Sequence, residues 1–150
     1  QCKEDDVIEN VKAIREFAGD RAVLRAFHFF EENKRVDAEV EALEKIDFAT
    51  FFNKITESGD SSWKWLQNCY CNETPDEQSI TVALALTKLY LDKIGRGVCR
   101  VHGGGFAGVI AAFLPKEETE GFTKYIDKAL GEGSAYVMHI RPQGAVKVEF

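Results

Sequence analysis

The chain has 150 residues, the length of one ordinary domain, and a hydrophobic fraction of 45% that excludes a disordered tail. Its 25 acidic and 19 basic residues give a formal net charge of −6, so the composition offers no general attraction to nucleic acid or to an anionic membrane surface. No apolar run approaches the roughly 20 residues needed to cross a bilayer. From the charge and the apolar runs together, we expect neither a nucleic-acid nor a membrane partner.

The first 46 residues show helical periodicity. Apolar residues recur every three or four positions from Val7 to Phe17, and Gly19 predicts the end of that helix. Asp20 is predicted to cap a long helix with an apolar stripe toward the core and a solvated charged face. The stripe comprises Val23, Leu24, Phe27, Phe30, Val36, Val40, Leu43 and Ile46, and the charged face comprises Glu31, Glu32, Lys34, Arg35, Glu39 and Glu41.

Further helical segments follow as far as residue 94. Asp47 is a plausible N-cap for a shorter helix that Gly59 is expected to end, and residues 61–70 continue the helical pattern. Pro75 predicts a break, because a proline disfavours helical backbone in the residue before it. The strongly apolar segment 78–94 predicts another helix, which ends at Gly95.

After Gly95 the pattern changes to that of short strands. Strands are predicted at 98–101, 109–115, 135–140 and 145–150, with a helix at 116–133 between the second and the third. The predicted fold is therefore α+β, with N-terminal helices followed by a mainly antiparallel β-β-α-β-β sheet layer.

The loop between the first two predicted strands contains three consecutive glycines, Gly103, Gly104 and Gly105. Such a run costs backbone entropy, which leaves two explanations open: a tight turn with positive φ, or close approach of a ligand. In the second case successive backbone N–H groups form a concavity for an anion such as phosphate. With Gly108 the loop also matches GxGxxG, but Pro115 leaves no room for the helix that a dinucleotide-binding fold requires.

Other kinds of site find little support in the sequence. The four cysteines and three histidines lack the spacing of a closed zinc site, so we expect no metal ligands and reduced thiols in a cytoplasmic protein. No pairing of a nucleophile with a general base is evident, so we also expect no catalytic residue in this chain.

Residues 98–115 (VCRVHGGGFAGVIAAFLP) resemble the third conserved motif of galactokinases, members of the GHMP kinase superfamily. The resemblance extends outward in both directions. Arg25-Ala26-Phe27-His28 with Glu31, Glu32, Asn33, Arg35 and Val36 is similar to the family's R-A-x-H-x-x-x-E-x-x-R-V helix, residues 56–62 to its serine- and histidine-containing turn, and residues 140–144 to its closing R-P-x-x-G stretch.

This resemblance implies transfer of the ATP γ-phosphoryl group, with Mg²⁺, to the anomeric hydroxyl of galactose. It also implies a ferredoxin-like C-terminal domain over residues 1–150 whose partner is the N-terminal half of the same kinase, since the signatures of that half are absent and the sequence begins with Gln1 rather than Met. The glycine loop would then border the nucleotide, and the isolated chain is expected to be inactive. The cofactor-binding residues carried over are Gly103, Gly104, Gly105, Phe106 and Gly108.

Two departures from the family pattern leave alternatives open. Gly59 stands where many relatives have histidine, and residues 69–80 match the family's S-C-P-E-L-D stretch poorly. A regulator that responds to sugar and ATP without catalysis is one alternative, because a fold does not fix a function. A glycine loop that is only a tight hairpin in an unrelated protein is the other.

Overall fold

A computed structural model of the chain describes residues 2–106, 108–140, 142–144 and 146–147. The structure divides into two compact units, Gln1–Pro115 and Lys116–Phe150. Helices and a two-stranded antiparallel sheet make up its regular structure in the described residues, which confirms the α+β class. No helix in this part of the chain combines the length and apolar character needed to span a bilayer.

The N-terminal helical region forms three helices: α1 (Glu4–Glu9), α2 (Val11–Ala18) and α3 (Asp20–Glu44). The single helix predicted before Gly19 is therefore divided, with Asn10 as the cap residue between its two parts. Gly19, with a φ of +81°, both ends α2 and caps α3. The prediction that Asp20 caps α3 is wrong, because its carboxylate instead accepts a 2.6 Å hydrogen bond from Arg15.

Helix α4 (Phe48–Ser61) begins as predicted, because the Asp47 side chain accepts a 3.0 Å hydrogen bond from the Thr50 amide. The helix does not end at Gly59 but passes through it into a π-helical turn (Ser62–Leu66). A Cβ at Gly59 would lie 3.1 Å from the Cβ of Arg100. This glycine therefore permits close packing of α4 against the first strand, and the predicted helix stop is wrong.

Helix α5 (Ser79–Ile94) and two strands, β1 (Val98–His102) and β2 (Val109–Phe113), complete the first unit. The strands pair in antiparallel register from Val98↔Phe113 to His102↔Val109. Both α4 and α5 pack against β1. A buried cluster of Cys69, Ile80 and Val101 therefore lies at the end of β1 that leads into the glycine loop.

The second unit contains a 3-10 turn (Lys116–Glu118) and helix α6 (Thr119–Leu130), which buries Phe122 and Ile126. The strand predicted at 135–140 does not form, and its apolar side chains, such as Ile140 at 90% exposed, lie in solvent. An extended segment is stable as a strand only where a neighbour takes its backbone hydrogen bonds. The strand predicted at 145–150 falls mostly outside the described residues, and 146–147 are not in a strand. The described order is thus β-β-α.

Helix α3 follows the predicted apolar stripe only in its N-terminal half, where Val23 is buried and Leu24, Phe27 and Phe30 are half-buried. Its other buried positions are His28, Arg35 and Ala42, which are seven residues apart. The remaining residues of the predicted stripe are exposed: Val36, Val40, Leu43 and Ile46. The apolar periodicity therefore predicted the helix but not the packed side of its C-terminal half, because polar side chains on the other face find partners in α4 and β1.

Candidate functional site: the glycine loop and its supporting network

The glycine loop, residues 103–108, connects β1 to β2, and Ala107 lies outside the described residues. Gly103 and Gly105 have φ angles of +70° and +75°, and Gly104 is not in the left-handed region. Phe106 also has a positive φ, +58°, which is uncommon for a residue with a side chain. The tight turn considered in the sequence analysis is therefore present, at two of the three consecutive glycines.

One side of the loop is fastened to Asn68, a residue that follows the π-helical turn. The Phe106 amide donates a 2.6 Å hydrogen bond to the backbone oxygen of Asn68. The Asn68 side-chain Nδ2 donates to the backbone oxygen of Gly104 over 3.3 Å. A Cβ at Gly105 would lie 2.2 Å from the Asn68 oxygen, so only glycine fits there. The close approach at Gly105 is thus to the protein itself.

The other side of the loop is open. Gly103 and Gly104 are exposed, and a Cβ added to either one would meet nothing within 4 Å. Among the described loop residues, the hydrogen bonds found use the amides of Phe106 and Gly108 and leave those of Gly103 and Gly104 unused. Exposed peptide N–H groups at a bend can contact an anion.

A cleft of about 250 Å³ lies beside the loop. It is lined by Arg21, Gln67, Tyr70, Cys71, Asn72, Glu73 and Phe106. The Arg21 guanidinium donates a 3.2 Å hydrogen bond to the backbone oxygen of Gln67, which holds this positive charge at the cleft. Phe106, which is 47% exposed, belongs to the glycine loop and also lines the cleft.

A polar network that the sequence analysis missed lies between α3, α4 and β1. At its centre is Glu32, which accepts hydrogen bonds from Arg35 Nε at 2.8 Å and Arg100 Nη1 at 3.2 Å, and a further one from Ser58. Ser58 is completely buried and Arg35 is 8% exposed. Glu32 and Arg35 therefore do not belong to a solvated face. The i, i+4, i+7 spacing of His28, Glu32 and Arg35, which places them on one side of a helix, was the available signal.

The pKa values in this network follow from burial and from neighbouring charges. Burial acts to raise the pKa of Glu32, but hydrogen bonds from Ser58 and Arg35 and the charges of Arg100 and Arg35 outweigh it and lower that pKa. Burial lowers the pKa of His28, whose Nδ1 lies 2.9 Å from Ser61 Oγ. The network is thus built for an ionised glutamate and a neutral histidine.

We predict that His28 makes the stability of the chain pH-dependent. Because its pKa is lower in the folded state, its neutral form favours folding above the unfolded pKa of about 6.5. That contribution is lost as the pH falls toward the folded value, by at most about 1.4 kcal/mol per pH unit for one proton. Urea unfolding at pH 7 and at about pH 5 measures this change in the free energy of unfolding. His28→Asn should flatten the dependence, whereas His139→Gln, at an exposed histidine, should preserve it.

Metal-binding side chains are not clustered in the part of the chain that the structure describes: no group of three or more His, Cys, Asp or Glu residues is placed to hold an ion. Cys69 is buried, Cys2 is exposed, and Cys71 and Cys99 are half-buried, all as free thiols. Burial raises the pKa of the Cys69 and Cys99 thiols, which makes them poor ligands and poor nucleophiles.

Comparison with known proteins shows what this chain is similar to. No protein-family model matches the chain. Galactokinases of Haemophilus influenzae strains PittGG, PittEE and Rd are each 30% identical to it over 84% of its length. The chain is therefore similar to galactokinases. This confirms the resemblance drawn from its motifs, although the chain spans only 34% of the length of these relatives.

Two of the segments that resemble galactokinase motifs, one on α3 and one on β1, meet in space. The segment on α3 supplies His28, Glu32 and Arg35 to the buried network, and the segment on β1 supplies Arg100. Arg100 lies two residues before His102, where β1 passes into the glycine loop. The network therefore fixes the strand that carries the loop.

Proposed function

We propose that this chain is the C-terminal domain, residues 1–150, of a galactokinase-like sugar kinase. In this proposal the parent kinase transfers the γ-phosphoryl group of ATP to the anomeric hydroxyl of galactose in the cytoplasm. The observation that carries the proposal is the similarity to galactokinases together with a glycine loop whose Gly103 and Gly104 amides face solvent. A ferredoxin-like arrangement of this domain in the full kinase belongs to the proposal as well.

The contribution of this chain to phosphoryl transfer is positioning and charge stabilisation rather than proton transfer. Such reactions depend mainly on groups held ready around the phosphate oxygens. Here the backbone amides of Gly103 and Gly104 border the phosphates, with Gly105, Phe106 and Gly108 shaping the loop. In this proposal the catalytic base comes from the N-terminal half, the proposed partner.

The fit of the implied cofactors to this chain is partial. The open amides of Gly103 and Gly104 suit a phosphate group, whereas the cleft beside them combines the positive charge of Arg21 with the negative charge of Glu73. When bound, Mg²⁺ would neutralise negative charge on the phosphate groups. No group of three or more His, Cys, Asp or Glu residues among the described residues is placed to hold it, and the proposal assigns its protein ligands to the partner half.

We predict that the isolated 150-residue chain has no measurable galactose-dependent turnover of ATP, because one loop supplies neither a base nor a metal site. A coupled assay with galactose, ATP and Mg²⁺ measures this. The control is the longer parent chain, which should turn over under the same conditions. Activity of the isolated chain would contradict this division of roles. A parent chain that binds galactose and ATP without turnover would favour the regulator instead.

A further inference from the structure

We propose that Asn68 is the positioning residue of the glycine loop, holding residues 104–106 in the one conformation that leaves the Gly103 and Gly104 amides open. This inference rests on the proposed function only for what the loop is positioned to contact. The fastening itself is a property of the chain and can be measured without any ligand.

The loop is held by Asn68 from two directions. Its backbone oxygen accepts from the Phe106 amide at 2.6 Å, and its side-chain Nδ2 donates to the Gly104 oxygen at 3.3 Å. These two bonds span Gly105, whose backbone lies so close to Asn68 that a Cβ there would overlap the Asn68 oxygen. A segment fixed at both ends in this way has little freedom to rotate its peptide groups.

The fastening also accounts for the backbone of Phe106. A non-glycine residue at a φ of +58° is held there only when its surroundings determine the conformation. The hydrogen bond from the Phe106 amide to Asn68 supplies that constraint. The same bond keeps the half-exposed Phe106 side chain at the edge of the cleft.

Asn68 is itself rigidly placed. It is 3% exposed, and the next residue, Cys69, is 1% exposed in the cluster with Ile80 and Val101. The Cys69 thiol lies 3.9 Å from Asn68 Oδ1, on the acceptor side of the amide, so Nδ2 is turned toward Gly104. A buried amide satisfied on both sides is the kind of polar group that fixes a single local conformation.

The first test compares the chain with its Asn68→Ala, Asn68→Asp and Asn72→Ala variants by backbone amide hydrogen exchange in NMR. Asn72 is exposed, lines the same cleft and is the matched control. Both Asn68 variants keep the backbone oxygen that accepts from Phe106 and lose the side-chain bond to Gly104. The loosened loop should lower the protection factor of the Phe106 amide by about threefold to tenfold. Protection in the β1–β2 ladder should stay unchanged, which separates release of the loop from general destabilisation.

The Asn68→Asp variant adds a second measurement, the pH dependence of Phe106 protection, which would not change if the side chain only filled space. An ionised carboxylate cannot donate to the Gly104 oxygen, but a protonated one can. Phe106 protection in this variant should therefore recover between pH 7 and about pH 4, whereas Asn68→Ala should show no recovery. Unchanged Phe106 protection in both variants would overturn the proposal, as would an equal loss in Asn72→Ala.

The second test uses the parent kinase chain and separates this inference from the proposed function. Asn68→Ala should raise the KM for ATP about threefold to tenfold and leave the KM for galactose unchanged, because it loosens only the loop that borders the phosphates. Lower protection of the Phe106 amide with an unchanged KM for ATP would support the positioning role and contradict the proposed contact with ATP. Unchanged protection of the Phe106 amide would overturn the positioning role, whatever the KM values.

Discussion

Replacing Gly105 by alanine should lower the free energy of unfolding by about 2 kcal/mol or more, because two costs combine at this position. The φ of +75° is unfavourable for any L-residue with a side chain. In addition, the new methyl group would lie 2.2 Å from the backbone oxygen of Asn68 and 2.7 Å from its Nδ2. Backbone cannot yield as a flexible side chain does, so the loop has to leave Asn68.

The neighbouring glycines provide matched controls for this change. Gly103→Ala meets nothing within 4 Å but keeps a φ of +70°, so it should cost only the conformational penalty of roughly 1 kcal/mol. Gly104→Ala meets neither obstacle and should change the stability by less than about 0.5 kcal/mol. Urea unfolding of the three variants measures the series. Equal losses at all three positions would contradict the assignment of the close contact to Gly105.

The order of these effects could not be deduced from the sequence. Three consecutive glycines predicted either a tight turn with positive φ or close approach of a ligand; the structure shows the positive φ at two of them, and at Gly105 also a close approach to the protein itself. Gly103 supplies a positive φ without a close neighbour, Gly105 supplies both, and Gly104 supplies neither. The contact that separates them is with Asn68, which is 36 residues from Gly104 in the chain. A contact over that separation has no local signature.

The helical part of the fold could largely be predicted, since start and stop signals such as Asp47 and Gly95 act locally. The packed side of the C-terminal half of α3 could not be predicted. Hydrophobic periodicity assumes that buried positions are apolar, but α3 buries His28 and Arg35 and exposes Val40. Polar side chains with partners across an interface violate that assumption, and their partners lie in later elements.

The prediction of the C-terminal strands was wrong over 135–140 for a related reason. Alternation of apolar residues shows that a segment could be half-buried in a sheet, but a strand also needs a neighbour for its backbone groups. The strands β1 and β2 pair because a short loop joins them in register. Among the described residues no strand pairs with the segment 135–140, and sequence pattern alone does not show whether a neighbour is present.

The second large effect is expected at Glu32, at the centre of the buried network. Glu32→Gln should lower the free energy of unfolding by about 3 kcal/mol, because it removes the carboxylate charge that accepts hydrogen bonds from the Arg35 and Arg100 guanidinium groups. Arg35 is the more sensitive of the two: its side chain is 9% exposed, and its Nη2 already lacks a hydrogen-bond partner within the described residues. The Arg100 guanidinium loses its bond to α3 as well.

The matched control is Glu41→Gln on the same helix, at an ion pair with Lys45 whose side chains are 64% and 67% exposed. Exposed pairs contribute little, so this change should cost less than about 1 kcal/mol. Urea unfolding at pH 7 compares the two variants, and similar losses would contradict a buried role for Glu32.

An acid titration provides an independent check on Glu32. Because its folded pKa is lowered, its ionised form stabilises the fold above the unfolded value of about 4.3, and this stabilisation is lost as the pH falls through the folded pKa. The loss of stability in this acidic range should therefore be smaller in Glu32→Gln than in the unmodified chain. An identical acid dependence in both would show that Glu32 carries no excess charge interaction in the folded state. The strand β1 would then be held by the packing of α4 and α5 rather than by the network.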